Sequence, residues 1–171
     1  MKVIAAGICF GAFCCATMWA QAGAATTGGD QAFVDMAAQT DMTEAHLGQL
    51  AQEKAASQAV KDYANMLVTD HTADYTKLTA VAGKAGLSVP KGIDAKHDKM
   101  IAPFEKLKGA AFDHHYVHEM MVGHEAAIAA YNKESRDGQN ADLKAYATET
   151  LPTLQKHEQG AKDLTKAKPT S

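Results

Sequence analysis

The chain has 171 residues, enough for one domain, and 46% of them are hydrophobic but only 6% aromatic. A formal net charge of −3 and the lack of any basic block argue against a nucleic-acid partner. All three cysteines, Cys9, Cys14 and Cys15, lie near the amino terminus, so a chain that loses its leader has no disulfide, no cysteine nucleophile and no thiolate metal site.

The leader reads MKVIAAGICFGAFCCATMWAQAGAA: Lys2, an apolar run, then small residues at Ala20, Ala22 and Ala24. That is the layout of a secretory signal peptide, with cleavage expected after Ala22 or Ala24, residues 1–24 removed and 25–30 left as a linker. The run is short and rich in Ala and Gly for a membrane anchor, and no second span follows it. Phe13 before Cys14 argues against lipid attachment, which wants a small residue there. The expected location is therefore the bacterial periplasm, with no membrane span after cleavage. Losing Lys2 takes the basic count from 17 to 16 against 20 acidic residues, a net charge of about −4.

The remaining chain has no convincing alternating strand pattern and is expected to be all-α. A first helix is expected over Gln31–Ala56 with Asp30 as its N-cap, and a second over Gln58–Lys84 with Ser57 as a cap at a tight turn. GKAGLSVPKGID then breaks the helix. Asp94 caps a short helix through Leu107, bent or interrupted near Pro103. A third long helix is expected over Ala110–Arg136. DGQN, residues 137–140, is a turn with a cap, and a fourth helix runs to about Ala167 with a kink at Pro152, leaving 168–171 as a frayed tail. Four helices of roughly 25 residues are each about 40 Å long. Short turns make two antiparallel hairpins, and the connector Gly83–Gly109 is long enough to cross the bundle, the arrangement of a ferritin-like four-helix bundle.

Core stripes at steps of three and four carry one ionisable residue in each long helix: Glu44, His71, His124 and His157. Burying such groups costs several kcal/mol unless they are paired or bound. Counted from their turns, Glu44 and His71 come out level, whereas His157 comes out about one helical turn, roughly 5 Å, away from His124, an offset that a kink at Pro152 would change in either direction. These four are the candidate ligands of one divalent transition-metal ion, Zn, Cu, Fe, Mn or Ni, and ligand type alone does not choose among them.

Other titratable residues have plainer readings. His114 and His118 share a helix face at i, i+4 but flank the stripe and lack a third ligand, so a surface patch is the better reading. His115 is placed to pair with Glu119 on a solvated face. Asp70 is a partner for a ligand histidine or a solvated charge, and Asp74, a turn beyond His71, is either an extra ligand or structural. Asp113 stands about 16 Å from His124 along the axis and is better suited to capping or anchoring a loop. Tyr116 is a structural or supporting residue of the same helix.

FVDMAAQTDMTEAHLGQLAQEKA, VKDYANMLVTDHT, GAAFDHHYVHEMMVGHE and TLPTLQKHEQGA resemble the bacterial family called domain of unknown function 4142, over about Gln31–Leu164. The recurring features of that family fall on Glu44, Asp70-His71, Phe112-Asp113, Tyr116, His124, Leu151-Pro152 and His157. The resemblance implies a secreted bundle of the ferritin-like superfamily and no established activity. Di-iron members of that superfamily use E-x-x-H motifs; none of the eight glutamates here has a histidine three residues on, which argues against a di-iron oxidase. Two functions stay open: a bundle that binds one metal ion in its core, and a non-catalytic envelope module whose polar core fixes helix register. A metal-independent enzyme is the weakest reading, because no nucleophile–base pair, phosphate loop or cofactor fingerprint is visible. An envelope protein or a second copy of the chain is the expected kind of partner.

Overall fold

The computed structural model describes residues 28–166, which form five helices: α1 Gly28–Lys54, α2 Gln58–Lys84, α3 Ala95–Lys106, α4 Ala110–Asp137 and α5 Ala141–Lys166. The expected leader, the tail and half of the expected linker, residues 25–27, lie outside the described residues. Gly28–Asp30, expected in the linker, already belong to α1. Among the described residues no helix is long and apolar enough to cross a membrane.

The turns explain where the helices stop. Past α2, Gly86 takes φ 72°, a left-handed backbone that suits glycine, and Gly86 N–H and Leu87 N–H donate to the carbonyls of Gly83 and Ala82. Asp94 caps α3 as expected, accepting from the amides of Lys96 and His97. Asn140 does the same for α5 through Asp142 and Leu143. Pro103 and Pro152 lie inside continuous helices, so Pro103 does not interrupt α3.

Two expected caps prove to be cross-hairpin ties. Asp30 does not cap its own helix; its two carboxylate oxygens accept from Gln139 and Asn140, in the α4–α5 turn. Ser57 makes no side-chain cap; Asp113 accepts from Ala56 and Ser57 in the α1–α2 turn instead. Each hairpin's first helix therefore locks the other hairpin's corner, which makes α1 and α4 antiparallel. Contacts of Tyr63 with His157 and of Lys77 with Glu149 make α2 and α5 antiparallel too. The connector runs the length of α1: Gln31 bonds Ser88, Gln39 bonds Gly92 and Asp94, and Lys54 bonds Glu105 and Gly109. Along that path α3 packs on α1 and α4.

The hairpins repeat one another at a separation of 83 positions: Asp30 and Asp113, Phe33 and Tyr116, Val60 and Leu143, Tyr63 and Tyr146, Ala64 and Ala147. Each of these residues is buried or nearly so. The apolar core is split in two. One cluster, including Leu47, Leu67, Phe112, Tyr116 and Met120, fills the end near the α1–α2 turn; the other, including Phe33, Leu78, Tyr131, Leu143 and Tyr146, fills the end near the α4–α5 turn. Burying a leucine such as Leu67 is worth about 1.5–3 kcal/mol, and truncating it to alanine costs about 2–5 kcal/mol because a cavity remains. Gly48 sets the closeness of α1 and α2, since a Cβ there would meet Val68 Cγ2 at 2.6 Å. Between the two clusters lies a polar layer, held at a fixed height by the cross-hairpin ties.

Candidate metal centre

That layer contains Glu44, His71, His124 and His157, all buried. The facing nitrogens of the three histidines lie within 4.8 Å of one another. His71 Nε2 is 2.9 Å and His124 Nε2 3.3 Å from Glu44 Oε2, and His124 Nε2 is 3.2 Å from His157 Nδ1. His157 is not a turn away from the others. An α-helical side chain leans toward its own amino terminus. His124 thus leans away from the α4–α5 turn and His157 leans toward it, so the two rings meet across the offset in their backbones. Gly123 leaves room for the carboxylate: a Cβ there would stand 3.2 Å from Glu44 Oε1.

Each imidazole is held from behind. His124 Nδ1 donates to the Met120 carbonyl at 2.8 Å, and a carbonyl only accepts, so the hydrogen sits on Nδ1. His71 Nδ1 donates to Asp41 and His157 Nε2 to Asp70, both at 2.8 Å. In the neutral rings the inward atoms, His71 Nε2, His124 Nε2 and His157 Nδ1, are then all lone pairs. Three lone pairs and a carboxylate oxygen repel one another unless a cation stands among them or one ring takes up a proton, as His71 does beside Glu44. Glu44 Oε2 and His71 Nε2 are in fact both buried without a hydrogen-bond partner, despite touching: the oxygen lies off the N–H direction.

The titration behaviour follows from the same contacts. Burial would lower His71, but the Glu44 carboxylate and the Asp41 hydrogen bond outweigh it and push the imidazole up to about 10. Burial would raise Glu44, yet the charges of His124 and His71 hold it below the usual carboxylate range. Burial pushes Asp41 up to about 7 against the pull of His71, and burial pulls His157 down to about 4 against Asp70. At neutral pH His71 is therefore an imidazolium paired with Glu44.

The donor set fits a small divalent ion. Bonds of about 2.0–2.1 Å in a tetrahedron place ligand atoms roughly 3.3 Å apart; three of the separations, 2.9, 3.2 and 3.3 Å, lie at or just below that spacing, and the histidine nitrogens lie within 4.8 Å of one another. Imidazole ligands held through their second nitrogen by carboxylate or carbonyl are the arrangement that orients metal-binding histidines.

The other expected site residues separate cleanly. Asp70 supports His157. Asp74 is not among the converging atoms; it accepts from Tyr146 at 2.6 Å, Thr150 at 3.2 Å and Tyr131 at 3.4 Å, closing a network of its own. Asp113 anchors the turn. Tyr116 is fully buried and stacks on Phe112 with its hydroxyl unpartnered. His114 and His118 are exposed, and among the described residues no third ligand joins them. His115 forms no ion pair with Glu119 and stands edge-on to Phe104. Sequence reasoning missed Asp41, although it lies one turn before Glu44 and shares its face. It also missed Met120, whose contribution is a carbonyl and leaves no trace in side-chain identity.

The profile of the domain of unknown function DUF4142 matches residues 16–164. No curated protein matches the sequence. A solved structure described as a DUF305 fragment from Deinococcus radiodurans is similar in fold, with a TM-score of 0.71 at 15% identity over 83% of this chain and 99% of that one.

Proposed function

The chain belongs to the DUF4142 family, and we propose that it binds a single divalent transition-metal ion in its bundle core. The observation that carries this reading is the convergence of His71, His124, His157 and Glu44 with every histidine tied from behind, so that three ring nitrogens and a carboxylate meet at one point. When bound, such an ion supplies Lewis acidity and, for a redox metal, an electron couple. The chain's own part is to hold the rings in one tautomer and to exclude bulk water. Glu44, Asp41 and Asp70 bring three carboxylates to balance the positive charge. The helix directions and the connector along α1 support a ferritin-like arrangement. A cleaved leader would place the protein in the periplasm, where it would handle metal or serve under stress.

The test is the metal content of the protein purified untagged from periplasm without chelator, beside a Glu44→Ala/His124→Ala variant. Near-stoichiometric metal that is lost in the variant is the expected result. A protein that holds no metal and takes none up at neutral pH would sink the proposal and leave the layer as a hydrogen-bonded register device. Thermal stability gives an independent readout: free metal at a thousand times Kd adds about 4.1 kcal/mol to a folded state that binds it.

A further inference from the structure

A buried site needs an entrance. His71, His124 and His157 are each 2% exposed or less, so an ion cannot reach them from bulk water without passing protein. The connector and α3 cover the side made by α1 and α4. On the opposite side, a cleft of about 250 Å³ opens between α2 and α5 and ends on His71 and His157. Its volume is the share of roughly eight waters in the liquid, enough for an ion with its first hydration shell.

The lining selects a sign of charge. Asp70, Asp74 and Glu149 face Lys77, which Glu149 already engages at 2.6 Å, and, at the inner end, the His71 ring, whose charge Asp41 and Glu44 offset. Such a cleft concentrates cations and repels anions. Asp70 is the carboxylate placed to receive them. It is about one-third exposed at the wall of the cleft, while its Oδ2 holds His157. At the inner end lie the buried His71 Nε2 and Glu44 Oε2, 2.9 Å apart and neither in a well-directed hydrogen bond.

We propose that the α2–α5 cleft is the route by which a hydrated divalent cation enters and leaves the core, with Asp70 as its transit ligand. This rests on the metal-binding reading above. An arriving ion would exchange a water for an Asp70 oxygen; the His157 ring, released from that carboxylate, would admit it to His71, His124 and Glu44, and the proton that His71 holds beside Glu44 would leave to water through the cleft as the ion takes its place. His157 then closes as the last ligand and returns its Nε2–H to Asp70.

The experiment is stopped-flow uptake of Co²⁺, read by its visible absorption, with release followed by a chelating dye and Kd measured separately. Thr153→Phe narrows the mouth from an exposed position. It should slow uptake and release by the same factor and leave Kd unchanged. Asp70→Asn keeps an acceptor for His157 but removes the charge; it should slow uptake by about tenfold and flatten its salt dependence. Ala126→Phe, exposed on α4 near the height of His124, is the control and should change neither rate. Wild-type rates in both cleft variants would overturn the route. An Asp70→Asn variant that weakens Kd with unchanged uptake would reduce Asp70 to an orienting residue and overturn its transit role. Failure of the wild type to take up Co²⁺ or Zn²⁺ at all would bring down the metal-binding reading, and the route with it.

Discussion

The two hairpins carry the same positions to different ends. The 83-residue repeat maps Glu44, His71, His124 and His157 onto Ala127, Leu154, Asp41 and Asp74. The first set meets as a converging donor cluster. The second contains two buried apolar side chains and two carboxylates, and those carboxylates serve as acceptors: Asp41 for His71, Asp74 for two tyrosines and a threonine. Even the supporting tyrosines correspond. Tyr63 donates to the His157 carbonyl and Tyr146 to the Asp74 carboxylate, each reaching across to the other hairpin. One backbone plan thus holds both a cluster of converging donors and a network whose carboxylate already accepts from three hydroxyls. A buried polar layer is not in itself a binding site; what distinguishes the first set is that its donors point at one another.

The largest expected effect breaks the network half. Asp74→Ala leaves Tyr146, Thr150 and Tyr131 with buried hydroxyls and no carboxylate, a cost of about 3 kcal/mol or more. For a domain of this size that lowers Tm by roughly 6–12 °C. Calorimetry should show this fall while metal stoichiometry stays as in the wild type. Loss of metal in this variant would mean that the two sets act as one unit.

Asp41→Asn probes the link between them. The amide still accepts from His71 Nδ1 but no longer brings charge, and changes behind a ligand histidine cost about 10–100-fold in metal affinity, or roughly 1.4–2.7 kcal/mol. Competition against a chelator of known affinity reads this directly. An unchanged Kd would show that Asp41 belongs with Asp74 as a structural acceptor only.

The ties at the two ends should behave alike. Asp30 and Asp113 each hold two turn amides, so Asp30→Asn and Asp113→Asn should each cost about 1 kcal/mol in chemical denaturation. The two lie at opposite ends of the bundle, so the double variant should show their sum. A double variant much less stable than the sum would reveal that both corners open together.

The buried polar set was legible in the sequence because helical periodicity exposes a polar residue among apolar ones: Glu44, His71, His124 and His157 all interrupt their stripes. The height of His157 was not, since counting backbone residues ignores the lean of the side chains. Asp30 was misassigned, and Ser57, though it is the N-cap residue of α2, makes no side-chain bond, because cap preferences describe a helix end in isolation, whereas here each carboxylate serves the neighbouring hairpin's turn. The repeat escaped motif reading because it conserves position rather than identity, with aspartate standing opposite histidine at 41 and 124 and again at 74 and 157.

The smallest effect concerns Glu134, whose counterpart in the repeat is the buried Ala51. Glu134 is buried near the α4–α5 turn with Oε1 unpartnered, and burial followed by the nearby Asp30 charge raises its carboxyl above the usual value. A raised acid pKa means that the folded state keeps its proton at a pH where the unfolded chain has released it. Below the unfolded value both states are protonated and burial carries no charge penalty; as pH rises through the folded value, stability is lost. Glu134→Gln removes the charge and should flatten that part of the profile. The variant should therefore be more stable than the wild type at pH 7 and closest to it near pH 4, measured by urea denaturation at both. A difference of the same size at both pH values would assign the effect to packing beside Gly138, not to ionisation, and would leave the hairpins differing here in shape alone.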